Sequence, residues 1–125
     1  MQFLLDTHAL IWWLSKNPTL SSQAHQAIAN PDNLVFVSAA SAWEIAIKKS
    51  LGKLEAPNDL VEQIEKKRFK SLAISIEQAL MVEQLPLHHQ DPFDRILIAQ
   101  ARYLNLTIIT RDNKFNSYDV NLIEC

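Results

Sequence analysis

The sequence predicts one three-layer α/β domain, a mostly parallel central sheet of about five strands flanked by helices. Three observations lead there. Short apolar runs alternate with longer stretches of helical pattern along all 125 residues. The first four of those runs are continuous rather than alternating, as strands covered on both faces are. No internal repeat, low-complexity tract or linker divides the chain, so residues 1–125 read as a single domain.

The elements follow in order. Phe3-Leu4-Leu5 is the first strand, and Thr7 to about Ser15 a helix that stops before Asn17-Pro18. Ser21 or Ser22 caps a second helix that ends near Asn30-Pro31. Leu34-Val35-Phe36-Val37 is the second strand. Ser38 or Ser41 then caps a third helix to about Leu51, and Gly52, the only glycine, supplies its C-terminal stop. Asn58 opens a fourth helix through Arg68, Leu72-Ala73-Ile74 is the third strand, and Ser75 opens a fifth helix to Gln84. Asp91-Pro92 sets a cap and a first-turn proline for a sixth helix to about Leu104. Thr107-Ile108-Ile109 is the fourth strand. Val120-Asn121-Leu122-Ile123, which mixes in a polar residue, is an edge strand.

Composition excludes several chemistries. A lone glycine rules out dinucleotide and Walker phosphate loops, both of which need several. The single cysteine, Cys125, excludes disulfide scaffolds and cysteine-based zinc sites and points to a reducing compartment. The apolar run Ala9 to Leu14 is far short of the roughly 20 residues that span a bilayer, so a cytoplasmic protein without a membrane segment is expected. With a net charge of −2, the chain as a whole is no polycation; nucleic-acid affinity would need a local patch or metal ions.

In an open parallel sheet, ligands bind outside the carboxyl ends of the strands. The first strand ends in Asp6, the second leads into a helix bearing Glu44, and the fourth ends in Thr110-Arg111-Asp112. The sixth helix returns to the fourth strand through only Asn105 and Leu106, so its start, with Asp94, lies at that same edge. Topology thus carries four acids, distant in sequence, to one end of the domain. Each also has an ordinary reading. Asp6 can cap the first helix, Glu44 can box with Ser41 or pair with Lys48, Asp94 can pair with Arg95, and Asp112 suits a turn. Asp91 reads as a cap rather than a ligand. Packed together, the acids repel, and some would hold protons unless a cation neutralised them; oxygen-only ligation suits Mg²⁺ or Mn²⁺ and phosphate chemistry.

In order, Leu4-Leu5-Asp6-Thr7-His8, Ser38 to Ile45 around Glu44, Asp91-Pro92-Phe93-Asp94-Arg95 to Ala101, and Ile109-Thr110-Arg111-Asp112 resemble PIN-domain proteins, most of all VapC-type toxins of type II toxin–antitoxin modules. The resemblance spans essentially the whole chain. It implies a Rossmann-like PIN fold and a Mg²⁺- or Mn²⁺-dependent endoribonuclease in which Asp6, Glu44, Asp94 and Asp112 are the catalytic, metal-holding acids. Thr7 and Thr110 match supporting hydroxyl positions. It also implies an RNA substrate and a separate antitoxin chain covering the acidic edge. The residues alone leave open a structure-selective DNA nuclease and a non-catalytic protein that binds RNA or a partner.

Three further features carry expectations. Basic residues concentrate between Lys48 and Lys70, and Lys48, Lys49, Lys66, Lys67 and Arg68 could track an RNA backbone or simply form a solvated face. Trp12 and Trp13, about 100° apart on one helix, do not easily share one buried orientation, which points either to a homodimer or antitoxin interface there or to both rings packing under neighbouring helices. His88 and His89, adjacent on a loop, are poorly placed to share one ion and read as part of a polar loop near the acids.

Overall fold

The computed structural model describes residues 1–125. Its order is β1 (Gln2–Leu5), α1 (Thr7–Leu14), α2 (Ser22–Ala29), β2 (Leu34–Ser38), α3 (Ala39–Ser50), α4 (Leu60–Lys66), β3 (Lys70–Leu72), α5 (Ile76–Met81), α6 (Pro92–Leu104), β4 (Thr107–Thr110) and β5 (Asn121–Glu124). Single 3₁₀ turns occupy Val82–Gln84 and Asn113–Ser117. The strands form one sheet in the order β3-β2-β1-β4-β5, and every pairing is parallel.

Alternation along the strands builds two cores. Phe3 and Leu5 of β1, Val35 and Val37 of β2 and Ile109 of β4 face α1 and α2, meeting Ala9, Leu10, Ala24 and Ile28. Leu4 and Ile108 face the other way, onto Leu97, Ile98 and Ala101 of α6 and onto Phe115. A sheet buried on both faces needs apolar residues at successive positions, which is why these strands read as continuous runs.

Local chemistry sets the helix ends. Asp91 accepts from the amides of Phe93 and Asp94 to cap α6, with Pro92 in its first turn. Asn105 closes α6 in the left-handed region at φ 56°. Ser38 caps α3 through the amide of Ala40, while Gly52, at φ 69°, follows its end. Ser38 also donates to buried Gln100 on α6 at 2.6 Å, and Gln100 donates on to Gln78 and the carbonyl of Ala73. This chain of satisfied polar groups fixes α6 across the carboxyl end of β2.

One expectation is corrected. The third strand is Lys70–Leu72, not Leu72–Ile74, and it is an edge strand with Lys70 and Ser71 exposed rather than one covered on both faces. The sheet is parallel throughout, including β5, so the opposite edge also ends at the acidic side. No helix is long and apolar enough to cross a membrane.

Candidate active site

Asp6 follows β1 directly and is 4% exposed. Its Oδ1 accepts from the amide of Ala9, 2.8 Å away, so it caps α1. Thr110, at the end of neighbouring β4, hydrogen-bonds the same carboxyl group and accepts the amide of Asp112 at 3.1 Å. Glu44 sits on the inner face of α3 and is 3% exposed. Thr7 donates to its Oε1 at 2.6 Å, and Lys48, one turn on, donates to its Oε2 at 2.5 Å. The Ser41 box does not form because Ser38 is the cap of α3; Ser41 instead lies 3.1 Å from the Thr7 hydroxyl.

Asp94 and Asp112 complete the group from two other elements. Asp94 lies in the first turn of α6 and Asp112 in the loop after β4, where its Oδ1 accepts from the amide of Lys114. Asp6, Glu44, Asp91, Asp94 and Asp112 all line one cavity of about 460 Å³, with His8, His89, Lys48 and Lys114 among the groups around it. For Asp6, Glu44 and Asp112 the ordinary and functional readings therefore coexist. Asp6, Glu44 and Asp112 each spend at least one oxygen on a cap, a hydroxyl, a lysine or a turn, and Asp94 meets His89, yet an ionised carboxylate has about four lone-pair sites, so accepting capacity remains.

Charge crowding shows in the titration of these groups. Burial, then the neighbouring charges of Asp91, Asp6, Glu44 and Asp112, push the Asp94 carboxyl up to about 8. Burial also raises Asp6, against the opposing hydrogen bonds from Thr110 and Ala9. Lys48 is raised, chiefly by its hydrogen bond to Glu44. Such a site without a cation carries more negative charge than it can hold ionised.

His89 belongs to this cluster: it lies near the acids, as expected, but as a buried partner of two of them rather than as part of a polar loop beside them. It is buried, with Nε2 2.8 Å from Asp94 Oδ2 and 3.1 Å from Asp112 Oδ2. Arg95 does not pair with Asp94. It turns away, buried, and donates to the carbonyls of Val82, Leu85, Pro86 and His89 and to Tyr118. Tyr118 in turn donates to Pro86 and accepts the His89 amide. An arginine within the apolar run of α6 was the sequence signal for this clamp, and the histidine it holds could have been found through it.

The basic residues are not gathered in the same way. Lys48 reaches into the acidic cavity, while Lys49 donates to Pro57 and Asn58. Lys66 and Arg68 are exposed, and Lys67 borders a separate groove of about 660 Å³ lined by Trp12, Trp13 and His25. There Trp12 lies under the Arg111 guanidinium and Trp13 against His25, both rings half-buried.

Comparison with known proteins adds three findings. A family model described as PIN domain matches residues 3–121. Ribonuclease VapC22 of Mycobacterium tuberculosis is 27% identical over 118 residues, covering 92% of this chain and 90% of that one. Among solved structures, the fold is similar to VapBC2 of Rickettsia felis bound to a promoter DNA fragment, at TM-score 0.75 and 17% identity over 100% of this chain and 99% of that one. DNA-bound VapBC of Salmonella typhimurium gives TM-score 0.72 and 17% identity over 99% and 98%.

Proposed function

The chain belongs to the PIN-domain family, and we propose that it is a divalent-metal-dependent endoribonuclease, the toxin of a type II toxin–antitoxin pair. The observation that carries this reading is the convergence of Asp6, Glu44, Asp94 and Asp112, from four separate elements, on one cavity where burial, and then the neighbouring acids, raise the Asp94 carboxyl to about 8. The similarity to a ribonuclease over nearly the full length of both chains supports the choice of RNA.

The donor set fits a hard cation: carboxylate oxygens, those of Asp6 and Glu44 buried, without a thiolate, the chemistry that suits Mg²⁺ or Mn²⁺. Asp6, Glu44, Asp94 and Asp112 would hold it. When bound, such a cation would supply charge neutralisation, activation of a water and stabilisation of a phosphodiester's leaving oxygen. The protein's own groups do the rest. Thr7 and Thr110 fix the rotamers of Glu44 and Asp6. Lys48 and Lys114 border the cavity, where their cationic side chains can meet the phosphates flanking the scissile one, and His8 lies at the same rim.

The half-buried tryptophan groove on α1 and α2 is the surface we assign to a protein partner, an antitoxin chain or a second copy. Solved relatives named as VapBC complexes support the antitoxin. Shielding of tryptophan fluorescence from quencher on adding the partner would support the assignment, and unchanged quenching would oppose it.

The decisive experiment is cleavage of end-labelled structured RNAs in Mg²⁺ or Mn²⁺ beside Asp6→Asn and a chelator control. Cleavage that needs metal, vanishes in the variant and leaves 5′-phosphate and 3′-hydroxyl ends is expected. Cleavage surviving Asp6→Asn, or 2′,3′-cyclic phosphate products, would overturn the mechanism. Cutting of DNA alone would overturn the choice of substrate.

A further inference from the structure

His89 occupies a position that none of the four acids explains. Its Nδ1 accepts the amide of Asp91 at 3.3 Å, so the ring proton sits on Nε2. That Nε2–H points between Asp94 Oδ2, at 2.8 Å, and Asp112 Oδ2, at 3.1 Å. The two carboxyl groups come from different elements, α6 and the loop after β4, and the imidazole is the donor that touches both.

The backbone of His89 is fixed with equal care. Its amide donates to the Tyr118 hydroxyl at 2.9 Å, and its carbonyl accepts from Arg95 at 3.1 Å. The Arg95 guanidinium, satisfied by carbonyls and Tyr118 rather than by any carboxylate, ties the 82–91 segment to α6 itself. Phe115 packs edge-on against the imidazole, with ring centroids 5.8 Å apart. Backbone, ring face and ring nitrogens are thus all committed, which is the construction of a residue that must hold one orientation.

We propose that His89 is a positioning residue of the candidate metal centre, its Nε2–H clipping Asp94 to Asp112 so that the two carboxylates meet a cation at a fixed spacing. The inference rests on the metal-centre reading above and deepens it. A donor that orients ligating carboxylates without itself ligating typically contributes 10–100-fold to metal affinity, a range of about one to two orders of magnitude. The ring proton on Nε2 is what separates this role from that of a fifth ligand, which would need that nitrogen's lone pair.

The test is Mn²⁺ binding, followed by the electron paramagnetic resonance of the free ion, to wild type, His89→Leu and His89→Gln. Leucine removes the donor, whereas glutamine can place an amide N–H near the Nε2 position. We expect His89→Leu to weaken Mn²⁺ binding by roughly 10–100-fold and His89→Gln to recover most of the loss. The spin-echo spectrum of the Mn²⁺-loaded wild type should lack the coupling of a directly bound imidazole nitrogen. Equal binding by wild type and His89→Leu, failure of glutamine to rescue, or a strong imidazole coupling would each overturn the proposal. If His89→Leu does not fold, His89→Gln and the spectrum decide. A wild type that binds no Mn²⁺ would overturn the metal centre first and the clip with it, an outcome distinct from a failure of His89 alone.

Discussion

The two charged regions of this molecule are built in opposite ways. The acids at the carboxyl edge are scattered through the sequence, at positions 6, 44, 94 and 112, yet they line one cavity and each is held by a named donor. The basic residues between Lys48 and Lys70 are close in sequence, yet they disperse. Lys48 joins the acids, Lys49 braces the 57–58 turn, Lys67 borders the tryptophan groove and Lys70 is exposed on edge strand β3. Sheet topology gathers charges into a site, and contiguity does not. A parallel sheet delivers every strand end to one side, whereas successive helical residues turn about 100° away from one another.

The largest expected effect should break the acidic region without harming the fold. Asp94→Asn removes a carboxylate from the proposed centre and should lower metal-dependent cleavage by at least roughly 10²–10³-fold, the loss seen when one group stabilising a transition state is deleted. Stability should barely change. Asp94 stays neutral up to about 8 in the metal-free protein, so a neutral amide of the same shape replaces what is already there. A rate assay paired with a metal-free thermal midpoint near neutral pH checks both halves. Retained cleavage, or a fall in the midpoint of many degrees, would contradict the assignment.

The adjacent residue should do the reverse. Arg95→Met leaves a set of buried carbonyls and Tyr118 without their donor, for a loss of roughly 2–3 kcal/mol in stability. The urea midpoint should fall with an unchanged slope. Neighbours at positions 94 and 95 would then separate chemistry from scaffold. A midpoint that does not move would mean that the 82–91 segment is held by other contacts.

Varying the pH sharpens the comparison without mutation. The folded-state value of Asp94 is raised from 3.8 to about 8, so between those limits the folded protein binds a proton that the unfolded chain releases. Metal-free stability should therefore fall as pH rises from about 4 to about 8 and level off above, and raised Asp6 adds in the same direction. Mn²⁺ should cancel the fall, because it binds only the ionised site. Thermal midpoints across that window, with and without Mn²⁺, read this out. A metal-free midpoint that rises toward pH 8 would mean that the acids are not crowded as described.

What the sequence made legible follows the same division. β1, β2 and β4 announce themselves because strands buried on both faces must be apolar at every position, and Asp6, Glu44, Asp94 and Asp112 are placed by strand ends and caps. β3 was misplaced by two residues because an edge strand needs backbone pairing rather than apolar side chains. Lys70 and Ser71 pair with Phe36 and Val37, while the Ala73 carbonyl serves Gln100 instead. The role of His89 was not legible because it lies in partners up to 29 residues away, with Tyr118 holding its amide. Adjacent histidines say nothing about which one is turned inward.

The smallest expected effect concerns the basic region itself. Lys66 ends α4, Lys67 follows it, and Arg68 takes a left-handed backbone at φ 62°. Three consecutive residues that turn through a helix end are not expected to line one phosphate track. Replacing all three with Gln should leave RNA affinity within about twofold at fixed salt. The salt dependence distinguishes the cases more sharply than affinity. If all three met phosphates of a single strand, the slope of log affinity against log salt would shrink by roughly 2, at about 0.7 per contact. An unchanged slope leaves Lys48, paired to Glu44 inside the cavity, as the basic residue of this segment that belongs to the site. A slope reduced by the full amount would show that a contiguous run can act as one surface after all, and the contrast drawn between the two regions would fail.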